Sequence, residues 1–153
     1  MKLSTKSRYS ARILIELARH KQNTPLQTGK ISRRQDIPLK YLEQLITVLR
    51  KAGFIESFRG PKGGHKLAMA SSQIMLGQIV RLFEGQTDLV QCISSPETCK
   101  MADECRLRLA WQQATESLYQ KLDVISIESL LEKSVTTSPD AHCQLILAPD
   151  IRD

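Results

Sequence analysis

Apolar residues recur at helical spacing along the first part of the chain. One such stripe predicts a first helix over 9–18, with Ser4 or Thr5 as its cap, and consists of Tyr9, Ile13, Leu14 and Leu17. A second, short helix is expected from Thr28, as its cap, through Gln35. The pattern therefore opens with a pair of amphipathic helices.

A third helix is predicted over 39–52, after the turn at 36–38. Pro38 suits its first position and Gly53 its left-handed end. Its inner stripe is Leu42, Leu45, Ile46 and Leu49, and its outer face carries Lys40, Glu43, Gln44, Thr47 and Arg50. The second and third helices, joined by a tight turn, predict a helix-turn-helix.

A β-hairpin is predicted directly after this helix. Residues 54–58 are typical of a strand, 59–64 of a glycine-rich turn, and 66–69 of a returning strand. Three glycines and a proline leave little side-chain bulk at the tip, so its backbone and its flanking cations can approach a nucleic-acid groove. An ordinary surface turn is the alternative, but the preceding helix-turn-helix favours a winged DNA-binding domain.

The second part of the chain predicts two further principal helices. The fourth begins near Met75 or Leu76 and ends at Gly85. A fifth, of about 20 residues, has a stripe of Leu107, Trp111, Ala114, Leu118, Leu122 and Ile125. This stripe packs either on its own domain or, as we expect, on a second copy of the chain. Ser126 is the expected cap of a short last helix over 127–132, and a loose tail follows.

Composition and charge narrow the function. The 153 residues, 41% of them hydrophobic, suit one ordinary domain, or a small domain plus an extension, and exclude a large multi-domain enzyme. No stretch is long and apolar enough to cross a membrane, so a cytoplasmic protein is expected. Residues 1–80 have a net charge of +11 (15 Lys+Arg, 4 Asp+Glu), and residues 81–153 have −5 (7 and 12). A basic half joined to an acidic half indicates polyanion binding, although a merely solvated basic surface is the alternative.

Three cysteines lie in the loop before the long helix. Cys92, Cys99 and Cys105 are separated by six and five residues, and soft thiolate ligands suit zinc, copper(I) or an iron-sulfur cluster. The spacing lacks the paired C-x-x-C of a zinc ribbon, which disfavours structural zinc. Three unrelated thiols remain an alternative. An enzyme is disfavoured because no redox C-x-x-C, nucleotide loop or Ser/His/Asp cluster occurs.

Taken together, these segments resemble the IscR/NsrR/RirA-type (Rrf2) family of winged-helix transcription regulators. The resemblance lies in LSTKSRYSARILIELA, LKYLEQLITVLRKAGFIES, FRGPKGGHKLA, IVRLFEG and the three cysteines ahead of a Trp-bearing helix. It implies a mainly α fold with a small β-wing: a winged helix-turn-helix domain over 1–85, a cluster-binding loop over 86–106, a dimerisation helix and short terminal helix over 107–133, and a flexible tail over 134–153.

The resemblance also implies a function. A homodimer would bind a double-stranded DNA operator, as a repressor or activator, and Cys92, Cys99 and Cys105 would hold a 2Fe-2S or 4Fe-4S cluster that senses iron, redox state or nitric oxide. The expected DNA-binding residues are Lys40, Tyr41, Glu43, Gln44 and Arg50 of the third helix and Arg59, Gly60, Pro61, Lys62, Gly63 and Gly64 of the wing. Phosphate contacts are expected from Lys6, Arg33, Lys51 and Lys62.

The chain departs from the family pattern around the cluster. Arg108 stands where one branch has a histidine ligand, and Arg8 and Arg12 stand where other branches have an acidic residue or histidine. Arginine stays protonated and cannot ligate iron. The fourth ligand is therefore open among Glu97, Asp103, Glu104, His142, Cys143, a water and a small thiol. A cluster-free regulator that acts through cysteine oxidation or a protein partner is the alternative.

Overall fold

The computed structural model describes residues 3–20, 24–85 and 88–132. The described part is mostly helical and contains one two-stranded antiparallel sheet. In chain order the elements are α1 (Thr5–Arg19), α2 (Thr28–Gln35), α3 (Leu39–Lys51), β1 (Ile55–Phe58), β2 (Gly64–Leu67), α4 (Leu76–Glu84), α5 (Arg106–Asp123) and α6 (Ser129–Glu132). Single 3-10 turns lie at Ser71–Gln73 and Pro96–Thr98.

The predicted helix-turn-helix is formed by α2 and α3. Asp36 ends α2 in the left-handed conformation, with φ of 50°, and the Ser32 hydroxyl donates to the Ile37 carbonyl at 2.7 Å. The tight turn lets α3 start at Leu39, three residues after Asp36. Two details of the prediction were wrong: Gln27, not Thr28, is the N-cap residue of α2, and Pro38 is the N-cap residue of α3 rather than its first residue.

The inner stripe of α3 is buried as predicted and forms the centre of the core. Helices α1 and α2 and the start of the wing pack against this stripe, and Ile127 from the C-terminal segment belongs to the same core. The core side chains that are at most 2% exposed include Ile13, Leu14, Leu26, Ile31, Leu42, Leu45, Leu49, Ile55, Ile74, Ile79 and Ile127. Burial of these aliphatic side chains is the main contribution that stabilises the packing of the helices and the wing.

The wing is a short hairpin. Strand β1 pairs antiparallel with β2, with Ile55 opposite Leu67 and Phe58 opposite Gly64. The returning strand begins two residues before the predicted start at Lys66, because the turn is tight: the Gly63 N–H donates to the Gly60 carbonyl at 2.9 Å. Gly60 has φ of +103°, a conformation that favours glycine.

The C-terminal segment is tied to the winged part through main-chain hydrogen bonds. The Leu76 N–H at the start of α4 donates to the Ile125 carbonyl at 2.8 Å, and the Ile127 N–H donates to the Ile74 carbonyl at 2.9 Å. Ser126 caps the last helix, as predicted, by accepting from the Ser129 N–H at 3.1 Å, but α6 begins at Ser129 rather than Ile127. The predicted tail over 134–153 lies outside the described residues.

Helix α5 has a divided apolar stripe. Leu107 and Trp111, near its start, are 67% and 44% exposed, whereas Leu118 and Leu122, near its end, are half-buried. The buried residues Thr115 and Tyr119 belong to the side that faces the rest of the protomer. Within the described residues, no helix is both long and apolar enough to span a bilayer.

Candidate nucleic-acid interface and cysteine loop

The outer face of α3 presents polar side chains to solvent. Lys40, Glu43, Gln44 and Arg50 are all exposed. Tyr41 is half-buried and packs edge-on against the Tyr9 ring of α1, with 6.0 Å between the ring centroids. The structure therefore leaves four of the five predicted α3 residues open to a ligand, and gives Tyr41 a packing contact.

Part of this face lines a cleft between α3 and the wing. Glu43, Thr47 and Arg50 lie on the α3 side of the cleft, which has a volume of about 240 Å³. Ser57 and His65 line it from the wing, and Thr28 from α2. Helix α3 and the wing thus share one polar surface.

The wing tip is exposed and basic. Arg59, Gly60, Pro61 and Lys62 are exposed, whereas Gly63 and Gly64 are partly buried. A Cβ at Gly63 would collide with the Phe58 carbonyl oxygen, and one at Gly64 would collide with the main chain of Leu26. Residues 59–62 are therefore accessible to a DNA groove. Gly63 and Gly64 allow the main chain of the wing to pack closely below them.

Further cations expected at phosphates are also exposed. Lys6 of α1, Arg33 of α2 and Lys51 at the end of α3 have exposed side chains, like Lys62 of the wing. They belong to the half of the chain that carries the +11 charge. A surface of this charge attracts a polyanion and releases its counterions.

The three cysteines occupy three different local structures. Cys92 lies in a turn, Cys99 follows the 3-10 turn at Pro96–Thr98, and Cys105 is the N-cap residue of α5. All three are free thiols and partly exposed. Backbone hydrogen bonds fold the segment locally, including one from the Ala102 N–H to the Cys99 carbonyl at 3.1 Å.

The donor chemistry of the loop suits a cluster, but the placement of the donors does not. Among residues 3–20, 24–85 and 88–132, no group of three or more His, Cys, Asp or Glu is close enough to hold a metal ion. Thiolates must converge on one centre to ligate it. In this conformation of the loop, Cys92, Cys99 and Cys105 therefore do not form an iron-sulfur site.

Of the residues considered for a fourth ligand, Asp103 and Glu104 line a small pocket beside Cys105. Glu97, Asp103 and Glu104 have exposed side chains, and His142 and Cys143 lie outside the described residues. Arg108 donates to the Ala102 carbonyl at 3.4 Å, and its buried Nε has no hydrogen-bond partner within the part of the chain that the structure describes. Arg12 donates to the Gln35 side chain at 3.1 Å. Each of these two arginines thus makes a local hydrogen bond, and neither contact identifies a fourth ligand.

Two sets of polar contacts within the winged domain are not predicted by the sequence. Glu84, at the end of α4, accepts hydrogen bonds from the Ser7 hydroxyl, from the Ser4 hydroxyl and from the Ser4 N–H at 2.9 Å, which together lower the pKa of this carboxyl. Buried Glu16 accepts from Arg34 and Gln35, each at 2.8 Å. Both join elements that are distant in sequence, so helical periodicity carries no signal of them.

The arrangement of α2, α3 and the wing defines the class of protein as a winged helix-turn-helix DNA-binding protein. A family model described as "Rrf2: Iron-dependent Transcriptional regulator" matches residues 3–133, so the chain belongs to the Rrf2 family of transcriptional regulators. It is a DNA-binding regulator and not an enzyme, which confirms the corresponding expectations from sequence.

Similar proteins support the same family assignment. Protein rrf2 of Nitratidesulfovibrio vulgaris is 36% identical over 145 residues, which cover 95% of this chain and 96% of that protein. The HTH-type transcriptional regulator IscR of Aliivibrio salmonicida is 35% identical over 131 residues, or 86% and 77% of the two chains. The crystal structure of Staphylococcus aureus CymR in its oxidized form has a TM-score of 0.70 at 32% identity and covers 89% of this chain and 100% of that one.

Proposed function

We propose that this Rrf2-family regulator binds a two-fold operator as a homodimer, with α3 in the major groove and the wing in the adjoining minor groove. The observation that carries this proposal is the shared exposed surface of α3 and the wing, in the half of the chain with a net charge of +11. A helix-turn-helix places its second helix, here α3, against base edges, and a basic surface accounts for phosphate binding.

The proposal divides exposed residues of this surface between base contacts and phosphate contacts. Gln44 pairs with adenine and Glu43 accepts from cytosine, since these side chains match the base edges in the major groove. Arg59 enters a narrow minor groove, where the negative potential is strongest. Lys6, Arg33, Lys51 and Lys62 bind phosphates and set affinity rather than sequence preference.

The test begins with genomic fragments selected by the protein and a footprint of the bound site. Gln44→Ala should lose about tenfold in affinity for the selected site while binding to unrelated DNA changes little, because a base contact supplies discrimination. Gln73→Ala, also exposed but outside α3 and the wing, is the matched control. Equal losses on all sequences would mean that α3 does not read bases.

For the cysteine loop we propose control of DNA affinity through an iron-sulfur cluster held by Cys92, Cys99 and Cys105. The support is the presence of three free, partly exposed thiols within one loop and the family description as iron-dependent. Because the described conformation does not gather the thiols, the loop has to rearrange for the cluster to bind.

Anaerobic reconstitution with ferrous iron and sulfide tests the cluster. We expect iron and acid-labile sulfide bound to each protomer, with a coloured product, and a complete loss of both in the Cys92→Ala/Cys99→Ala/Cys105→Ala variant. A triple variant that retains the full iron content would refute the cluster. The DNA-binding proposal would be unaffected by that result.

The second candidate is control by cysteine oxidation without a cluster. It is favoured by the placement of the three thiols, which are accessible but not gathered, and by the similarity to a CymR crystallised in an oxidized form. Treatment of the metal-free protein with hydrogen peroxide should then alter operator affinity, with a disulfide or sulfenic acid detected in this loop by mass spectrometry. A thiol reductant should restore the original affinity. Unchanged affinity after oxidation would exclude it.

A further inference from the structure

His65 is the first residue after the wing glycines, and its contacts extend to two other elements. Its ring Nε2 lies 3.0 Å from the Thr28 hydroxyl in the first turn of α2, and its Nδ1 lies 2.9 Å from the Ser57 hydroxyl on β1. Both ring nitrogens therefore have a partner. The ring joins the two strands of the wing to the start of the helix-turn-helix.

The main chain reinforces the same junction. The Leu26 N–H donates to the His65 carbonyl, and the His65 N–H donates to the Leu26 carbonyl, both at 2.9 Å. The Gln27 side chain donates to the Pro61 carbonyl in the wing turn at 3.3 Å. The wing thus rests on the segment 26–28, and Gly64 allows the close approach because a Cβ there would collide with Leu26.

A wing of this size needs such support. Each strand has four residues, and an isolated two-stranded hairpin is at best marginally stable in water. The wing carries the cations expected to enter the minor groove, whereas α3 carries the residues expected to read the major groove. Their relative position must be fixed for both to engage one DNA site.

We propose that His65 is a positioning residue for operator recognition, which fixes the wing on α2 so that the wing and α3 engage adjacent grooves at a set spacing. The inference rests on the function proposed above, and it adds a residue that does not itself touch DNA. Burial, and then the nearby Arg50, lower the pKa of His65, so the ring is neutral at pH 7 and each nitrogen can pair with a hydroxyl.

The cleft explains why a small shift of the wing would affect recognition. His65 and Ser57 face Glu43, Thr47 and Arg50 of α3 across it. Removal of the ring would free the wing to move relative to these α3 residues. Sequence discrimination would fall first, because base contacts need a defined geometry, while phosphate contacts tolerate displacement.

The test compares specific and non-specific binding of the full chain. His65→Leu and, as a milder change, Thr28→Val should each lower affinity for the selected operator by about three- to tenfold, with less than a twofold change on unrelated DNA of equal length. Because both changes break the same hydrogen bond, the double variant should be no worse than His65→Leu. The footprint should weaken at the minor grooves that the wing covers and persist at the major grooves that α3 covers.

A matched pair elsewhere in the protein provides the control. His20 Nε2 lies 3.4 Å from the Thr24 hydroxyl, between α1 and α2, so His20→Leu and Thr24→Val remove the same kinds of groups from a contact that does not involve the wing. These controls should leave operator discrimination unchanged. Thermal unfolding of every variant measures any loss of folded protein.

Three results would overturn the proposal. Equal losses on operator and unrelated DNA would show that His65 only supports the fold. Unchanged discrimination in a folded His65→Leu variant, with a discriminating wild type, would reject the positioning role but leave the proposed function intact. A wild type without sequence discrimination would reject both.

Discussion

At the scale of single residues, Arg59 provides the clearest test of the wing. Its side chain is exposed beside the glycine-rich tip. Arg59→Ala should weaken operator binding by about 1–3 kcal/mol and reduce discrimination at A·T-rich positions, where the minor groove is narrow. Binding to operators with substituted flanks measures this effect. An equal loss on every sequence would mean that Arg59 touches only phosphate.

Glu84 gives a prediction about pH. Hydrogen bonds from Ser7 and then Ser4 lower the pKa of its carboxyl, so the folded state favours the charged form. The resulting stabilisation is fully present above the ordinary carboxyl pKa and is lost as the pH falls through the lowered folded-state value. Glu84→Gln should reduce the free energy of unfolding by about 1 kcal/mol near pH 7, after allowance for partial exposure.

Urea unfolding at several pH values measures the effect of Glu84→Gln. The difference from the wild type should shrink as the solution is acidified below the carboxyl range. Glu128→Gln, which changes an exposed carboxylate far from Ser4 and Ser7 in sequence, should alter stability little at any pH. A difference for Glu84→Gln that stays constant with pH would contradict the assignment.

At the scale of secondary-structure elements, α3 has a buried leucine and an exposed leucine, so that the same mutation can be compared at two depths of burial. Leu42 is fully buried, whereas Leu39, one turn earlier, is 48% exposed. Leu42→Ala should cost about 2–5 kcal/mol of stability because it leaves a cavity, and Leu39→Ala should cost well under half of that. Urea denaturation of both variants gives the comparison. Similar losses would mean that Leu42 is no more deeply buried than Leu39.

The elements also show what the sequence could and could not reveal. Periodicity predicts α1, α3 and α5 because the apolar residues of each helix recur at helical spacing and form a stripe along one side. Turn chemistry predicted the wing and the end of α3 at Gly53, which has φ of 81°. Boundaries were less accurate, as in the two-residue shift of β2, since local signals do not fix strand register.

Long-range polar contacts escaped prediction for a physical reason. The Thr28 hydroxyl was expected to cap α2, but the fold brings His65 within 3.0 Å of it from 37 residues away. Glu84 likewise reaches Ser4 across 80 residues. Such pairs depend on how elements dock and leave no periodic pattern. The expected convergence of Cys92, Cys99 and Cys105 is not seen among the described residues for a related reason: their spacing in a loop allows the three thiols to meet but does not require it.

At the scale of the whole molecule, the start of α5 is where we expect the two protomers of the proposed homodimer to meet. Leu107 and Trp111 are exposed on one side of the helix. Trp111→Glu should shift the sedimentation equilibrium from dimer to monomer, since a buried unpaired charge at an interface costs several kcal/mol. Gln113→Glu, an exposed change on the same helix, is the control. A dimer unaffected by Trp111→Glu would place the interface elsewhere.

The salt dependence of operator affinity tests the central claim, that the basic winged half of this regulator binds DNA. With about six to ten phosphate contacts, log affinity should fall against log salt with a slope near −0.9 per contact. Lys62→Ala should reduce the magnitude of the slope by about one such increment, and the exposed Lys121→Ala of α5 should not change it. A nearly flat response of the wild type to salt would contradict the account.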